Sequence, residues 1–600
     1  MDLPVCKVRT SLYLFFLSAF FIMESCNLNS KTQLKFMQSL TGLSSGSSAT
    51  TGTTTSTVAA PSFTNLLNKG LLETGFVIGA ATGTISKVEI SIDSGTYSSA
   101  SGTNTWSYQL PTGSSIWKEG SSHTISARSV DAAGNTSSIT SIIVRKGKNK
   151  DINGDGYSDV VVGATGYSGG LNKGAIYIFY SSGNSGVTAT SATSASKTIS
   201  GQTNGDKFGY SIALGDVNGD GYADIAVGAI AAVGNKGVTY IFLSNGSNGI
   251  SANSAAAADA SITGANSNDT FGSAVSIGDI NGDGYGDLVI AANYYPSSSN
   301  NGRVYIFHSN GSSGITATGV GSANSNITGP SNFDNFGTFI STGDVNGDGY
   351  ADLAAGANGY SGGSLLGAAF VFHSSGNSGI TITNPNSAST KIIGGASGDY
   401  IGTSICLGDI DGDGYADLIV GAIGTTGNKG MVYIFKSTGA SGITATNVSS
   451  ANTSILGNSP NDSFGFSVSI ADFNGDGYGD LAASANGYSG GANKGAVYLF
   501  TSSSSGISVT NVNSANTTIS GNASSDIFGY FTSVGDLTGD GYADLVIAAK
   551  GYNAGTNTGA IYIYHSSGNS GITATTSANA STSILGSAAN DLFGTALSVF

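Results

Sequence analysis

The sequence predicts an all-β protein in which a small β-sandwich precedes a large array of repeated four-stranded units closed on itself. Three observations lead there. First, a nine-residue Asp-rich motif begins at Asp151 and recurs at intervals of 65, 63, 65, 65, 63 and 64 residues. Self-similarity at a fixed period marks a repeat architecture, and 600 residues exceed what one ordinary core supports. Second, four short apolar segments fit each repeat. In one they are Phe271 to Ile277, Tyr285 to Ala292, Arg303 to Phe307 and Asn326 to Thr328. Third, aligning Phe593-Gly594 with Phe208-Gly209 sets Phe600 opposite Gly215, one position before the motif that opens the array. The last strand, Phe593 to Phe600, is therefore expected to complete the unit that starts at residue 151. Closure of that kind leaves only short, protected edges.

Composition agrees. With 91 glycines, 39% hydrophobic and 10% charged residues, the chain has enough apolar surface for a core and little helical or disordered character. A formal charge of −15 argues against a nucleic-acid partner, since binding phosphates needs a net basic surface. Of the three cysteines, Cys6 and Cys26 lie in or at the end of a targeting segment, so no disulfide framework remains. Cys406, in the strand pattern Ser404 to Leu407, reads as a small buried hydrophobe.

Residues 1–26 form a secretory signal. Lys7 and Arg9 precede an apolar run from Ser11 to Met23, too short to span a membrane, and the small residue Ser25 precedes Cys26. The arrangement resembles a bacterial lipoprotein signal, which implies acylation of Cys26 and a membrane-anchored position in the cell envelope or at its surface; plain secretion is the alternative. Residues 27–60, rich in Ser, Thr and Gly toward their end, suit a flexible tether. In residues 61–147 alternation over Lys87–Ile92, Thr105–Tyr108 and His123–Arg128 puts one face of each strand into a core. With Asp131-Ala132-Ala133-Gly134-Asn135-Thr136 after a strand, the segment resembles bacterial immunoglobulin-like modules, usually spacers or stalks. His123 is expected on the surface.

The repeated loop carries the clearest chemistry. In the first copy Asp151, Asn153, Asp155 and Asp159 offer side-chain oxygens at positions 1, 3, 5 and 9, and Tyr157 offers a backbone carbonyl at position 7. The second has Asp216, Asn218, Asp220, Tyr222 and Asp224; the third Asp279, Asn281, Asp283, Tyr285 and Asp287. The fourth has Asp344, Asn346, Asp348, Tyr350 and Asp352; the fifth Asp409, Asp411, Asp413, Tyr415 and Asp417. The sixth has Asp472, Asn474, Asp476, Tyr478 and Asp480, and the seventh Asp536, Thr538, Asp540, Tyr542 and Asp544. Hard oxygens in a flexible loop suit Ca2+ rather than Mg2+, which keeps its waters and demands tighter geometry. Glycines at positions 4 and 6 let the backbone curl without Cβ clashes. An EF-hand would need a bidentate Glu at position 12, where the first loop has Val162, so the loop joins strands. Asp411 is expected to tighten binding and Thr538 to weaken it. The loops hold 22 of the 37 acidic residues, and seven divalent ions would bring the formal −15 close to neutral.

Around each loop the repeat reads Phe-Gly, the loop, an apolar run ending Gly-Ala, a Gly-rich turn and a Tyr-Ile-Phe strand. In the second repeat these are Phe208-Gly209, Asp216–Asp224, Gly228-Ala229 and Tyr240–Phe242. This resembles the FG-GAP repeat, the blade unit of the β-propeller of integrin α subunits and many bacterial surface proteins. The resemblance covers residues 151–600 and implies, for residues 148–600, a seven-bladed β-propeller of four-stranded blades. Departures are small: Ile401-Gly402 for Phe-Gly, and Ala291-Ala292, Ser484-Ala485 or Ala548-Ala549 for Gly-Ala.

No catalytic constellation is recognised. His308, His373 and His565 share one variable repeat position, and Lys173, Lys236, Lys429 and Lys494 share a turn position. The turns after the second strands carry Tyr167, Tyr294, Tyr295, Arg303, Tyr360, Tyr488 and Tyr552, residue types that binding surfaces favour. Integrin-type propellers bind partners on the face opposite their calcium loops, so the resemblance implies that face here; the alternative is that these tyrosines only pack the turns. The reading that follows is a monomeric, calcium-stabilised surface binding or adhesion module for an extracellular protein or glycan. A polysaccharide-lyase-like enzyme and a passive stalk are its rivals.

Overall fold

The computed structural model describes residues 58–66, 70–72, 74–111, 122–167, 171–361, 364–488, 493–553 and 555–599. The expected signal, Cys26 and most of the tether lie outside the described residues, as does Phe600. Between residues 62 and 146 two sheets enclose one core. One orders Ser62–Phe63, Phe76–Ala80, Thr105–Gln109 and Ser101–Gly102; the other orders Gly70–Leu72, Thr140–Lys146, Ser122–Val130, Lys87–Ile92 and Ser98–Ser99. Trp106, Val77, Val88, Ile90, Ile125 and Val144 meet between them. His123 is not on the surface: it is buried, with Nδ1 2.6 Å from Asp93 Oδ2. The strand runs two residues beyond Arg128, and its inward face includes position 123.

From residue 160 onward, the described residues form seven four-stranded antiparallel sheets, an arrangement consistent with a β-propeller. Six use consecutive strands, such as Phe271–Gly278, Asp287–Ala292, Arg303–Phe307 and Ser325–Thr328. The other joins the end of the chain to the start of the array. Phe593–Ser598 pairs with Val160–Ala164, setting Val161 opposite Ser598 and Val162 opposite Leu597. The second strand starts at position 9 of its loop in six sheets and one residue later, at Val160, in the first, not at Tyr285 or its equivalents, because the loop keeps the backbone curled until then. These strands are buried along their whole length, so they read as continuous apolar runs.

The core is a series of layers between neighbouring sheets. One layer joins Ile176 and Ile178 to Val227 and Phe242; another joins Val160 and Tyr177 to Val546 and Ile561, linking the first sheet to the last. The Phe-Gly and Gly-Ala signatures meet across these layers. A Cβ at Gly228 would lie 2.1 Å from the carbonyl oxygen of Gly272, and one at Gly421 2.0 Å from that of Gly465. Where Gly-Ala becomes Ala291-Ala292, the facing Gly337 leaves room for the methyl group. Glycine is thus needed where two backbones touch.

Phe593 is fully buried and stacks edge-on against Tyr177 at 5.4 Å. Phe593→Ala is expected to cost about 3–5 kcal/mol and to lower the calorimetric melting temperature of the whole array. An unchanged melting temperature would show that this strand does not hold the ends together.

Candidate metal loops and the open mouth of the array

The loop backbone is shaped by its own carboxylates. Asp151 Oδ1 accepts the N–H groups of Gly154 and Asp155 at 2.6 and 3.1 Å, and Oδ2 accepts that of Gly156 at 2.7 Å. Asp155 Oδ1 accepts the Tyr157 N–H at 3.1 Å. Gly154 and Gly156 sit at φ +69° and +91°, which L side chains rarely adopt. The position 9 aspartate is fully buried: Asp159 Oδ2 accepts the Ile152 N–H and Oδ1 the Ser181 N–H, both at 2.9 Å. Ser181 Oγ in turn donates to the carbonyl of Leu537, in the seventh loop, at 2.6 Å.

That relay recurs in every repeat. Ser244, Ser309, Ser374, Ser437, Ser502 and Ser566 each donate a backbone N–H to the position 9 aspartate of their own sheet. Each also donates its hydroxyl to a carbonyl of the preceding loop. The position 7 tyrosines make a second circuit. A Cβ on Gly154 would meet the Tyr222 ring at 2.2 Å, one on Gly282 the Tyr350 ring at 2.1 Å, and one on Gly539 the Tyr157 ring at 2.3 Å. Sequence reasoning missed the serines, although each stands two residues after the Phe, or in one repeat the Tyr, that ends a third strand.

Burial, with repulsion between loop mates, holds these carboxyls above the usual range: Asp352 is pushed up to about 8, Asp417, Asp480 and Asp151 to about 7, and Asp216, Asp279 and Asp344 to about 6. Such a cluster calls for a cation. The donor set fits a hard one. Ligand oxygens of Asp409, Asp411 and Asp413 all lie within 4.8 Å of one another, and Asp411 Oδ1 and Thr538 Oγ1 are buried without a hydrogen-bond partner. These are two position 3 side chains, where an ion would take an oxygen. Lys436 competes for the charge that Asp411 adds to its loop: its Nζ lies 3.0 Å from Asp411 Oδ2. The extra negative charge is already countered.

The N-terminal sheets rest on the loop side. Thr74 Oγ1 donates to Asp151 Oδ2 at 2.8 Å, Gln109 Nε2 to the Asp220 carbonyl at 2.7 Å, and Phe76 packs on Tyr222 at 5.1 Å. The connecting segment then brings Lys148 Nζ to the Thr342 carbonyl at 3.0 Å and Lys150 Nζ to that of Val534 at 3.1 Å. Lys148 also lines a cavity of about 320 Å³ built from the first strands of all seven sheets, at its loop-side end.

The other end lies where the first strands begin, and it is aromatic. Phe339 stacks on Phe531 at 5.9 Å, Phe466 packs on Tyr530 at 5.5 Å, and Tyr210 is 40% exposed. Lys550 Nζ donates to the Tyr530 hydroxyl at 3.0 Å and lies 4.2 Å from that ring's centre. Elsewhere the same repeat positions hold Ser273, Ala274, Thr338, Thr403, Ser404, Thr595 and Ala596. Sequence reasoning passed over these aromatics because each looks like one more apolar strand residue. Only their departure from the repeat marks them.

The tyrosines expected to form a ligand face are mostly engaged within the sheets. Tyr167 packs on Tyr177 at 6.2 Å, Tyr360 on Phe370 at 5.8 Å and Tyr488 on Tyr498 at 6.4 Å; Tyr552 packs on the sixth interlayer core. Arg303 covers the Tyr295 ring at 3.8 Å, and Tyr294 alone of the set is 44% exposed. His308, His373 and His565 fill space against Gly379, Gly442 and Gly186 of the next sheet, and burial holds all three below the usual imidazole range. The carbonyls of Lys173 and Lys494 accept the N–H groups of Phe208 and Phe528, which places both lysines in turns.

Comparison with known proteins agrees with this geometry. The FG-GAP repeat model matches residues 271–307, 336–372, 401–435, 464–500 and 528–564, and an FG-GAP-like repeat matches 151–227. Integrin alpha-5 of Xenopus laevis is 32% identical over 230 residues, 36% of this chain and 20% of that protein. Integrin alpha-PS2 of Drosophila melanogaster is 30% identical over 267 residues, 43% of this chain and 18% of that one. Human phosphatidylinositol-glycan-specific phospholipase D is 32% identical over 198 residues, 31% and 23% of the two chains. This chain thus spans about a fifth of the length of the relatives it matches. The repeats and the integrin relatives support an FG-GAP β-propeller.

Two outcomes are expected of the loops. Their raised carboxyl pKa values mean that folding in EDTA favours the protonated form. Metal-free stability should therefore be greatest below about pH 4 for these groups and fall as pH rises through about 6 to 8, whereas calcium affinity should rise over the same window with proton release. Calorimetry at several pH values with and without calcium checks both, and a metal-free melting temperature that climbs over that window would contradict the first. Lys436→Met should tighten calcium binding at the fifth loop, by up to about fivefold for a partly exposed pair, as read by competition with a chromophoric chelator.

Proposed function

We propose that this chain is a calcium-binding extracellular module of the cell envelope that binds a partner through the open mouth of a seven-bladed FG-GAP propeller. The seven loops each take one calcium ion as a structural clamp. Side-chain oxygens at positions 1, 3, 5 and 9 and the position 7 carbonyl would hold it, and it would neutralise carboxylates that the fold buries together. The sandwich is an immunoglobulin-like spacer set on the loop side, and the tether with a lipid on Cys26 holds the assembly at the membrane.

One observation carries the binding role. Where the seven repeats could be alike, the first strands carry large aromatics at one end of the cavity only. Structural positions recur in a repeat protein, so chemistry confined to a few repeats and gathered at one opening belongs to a ligand. Residue types with large contact area and low entropic cost stand at that opening.

At free calcium 100-fold above Kd, each occupied site adds about 2.7 kcal/mol, so EDTA should lower the melting temperature strongly; a temperature unmoved by EDTA would remove the clamp role. Beads coated with the calcium-loaded protein are expected to adhere to matrix proteins or surface glycans. Phe466→Leu with Tyr530→Leu should cut adhesion at least about tenfold without changing the melting temperature. Undiminished adhesion would place the ligand elsewhere.

A further inference from the structure

The mouth is uneven in charge as well as in side-chain size. Its lining includes Lys148 at the far end and hydroxyls such as Thr338 and Thr403 near the opening, and among the described residues it includes no carboxylate. Aspartates close in sequence to this end are turned into their own turns: Asp206 Oδ2 accepts the Thr203 N–H and Asp399 Oδ2 the Ala396 N–H, each at 2.7 Å. In a chain of formal charge −15, that leaves Lys550 as the charged group touching the aromatic cluster. Its ammonium has three donors and gives one to Tyr530. The repeat position of Lys550 is held elsewhere by Thr165, Ile230, Asn293, Asn358, Ile423 and Asn486, so the fold does not require a cation there.

We propose that the open mouth takes an acidic saccharide, a pyranose chain bearing carboxylates, with Phe339, Phe531 and Tyr530 as the stacking platform and Lys550 as the carboxylate contact. The proposal rests on the mouth being the binding surface. A pyranose ring presents C–H groups on its faces and hydroxyls at its rim, which suits aromatic faces bordered by threonine hydroxyls. A cavity of about 320 Å³ falls at the small end of ligand sites and admits the end of such a chain. Lys550 would meet the carboxylate in a charge-assisted hydrogen bond, while its stem stays on the Tyr530 ring. A cationic ligand is disfavoured because the ammonium already lies over that ring. An acidic peptide would use Lys550 and leave the stacked rings idle.

Isothermal titration of the full calcium-loaded chain tests this with oligogalacturonate and oligomannuronate tetramers, their carboxyl-reduced counterparts and a tetraglutamate peptide. The expected result is binding of at least one uronate tetramer that falls about tenfold on reduction of its carboxylates, and about tenfold in Lys550→Met and in Phe531→Leu. Phe531→Leu keeps apolar packing and removes the stack, and melting temperatures confirm that both variants are folded. Equal binding of the reduced tetramer, or tighter binding of tetraglutamate than of either uronate, overturns the acidic-saccharide assignment and leaves the mouth as a binding surface. No binding of any uronate overturns the assignment as well. Binding that neither variant weakens overturns the mouth itself, and with it the function proposed above.

Discussion

The structure of the array depends on one buried relay: a position 9 carboxylate, a serine that bonds it through the backbone N–H, and that serine's hydroxyl on the carbonyl of the preceding loop. Present seven times, with Ser181 returning to Leu537, it ties every sheet to its neighbour beside a carboxyl group with no exposure to water. At least two N–H donors to each such carboxylate offset part of its desolvation. Repulsion from the other loop aspartates adds to what is left. The loops therefore both fasten the ring of sheets and create an electrostatic need that a cation would meet.

The two ends of the cavity differ as a consequence. On the loop side, carbonyls and carboxylates attract cations, and the connecting segment supplies Lys148 and Lys150 to backbone acceptors there. That side is committed to stability and to seating the N-terminal sheets. On the far side lie the starts of the first strands, and just after Phe-Gly one residue can change without disturbing a loop or an interlayer contact. Variation has room there, and Tyr210, Phe339, Phe466, Tyr530, Phe531 and Lys550 occupy it.

Much of the local structure was legible in the residues. Arg303–Phe307 was read to its ends, since a buried strand shows as an unbroken apolar run. Tyr285 was read as strand because it is aromatic, yet the curl imposed by Asp283 and Gly284 delays the strand to Asp287. His123 was read as surface because polar residues usually are; Asp93, thirty residues away, gives it a buried partner. Asp411 reads as added negative charge in its loop, and Lys436, twenty-five residues downstream, brings a partner for it to 3.0 Å. Tyr167, Tyr360 and Tyr488 had the composition of a binding surface, and the fold lays them on the third strands instead.

The sequence by itself determined the repeat, the number and donor chemistry of its loops, the strand period and the register in which the last strand completes the first unit. Each of these follows from spacing along the chain. Tertiary structure alone decided which side chains separated along the chain meet: the serine relay, Lys436 against Asp411, the lysines at the loop-side end and the aromatic cluster under Lys550. Those contacts join residues 20 to 384 positions apart, and no local pattern encodes them because they exist only once the strands are brought together in space.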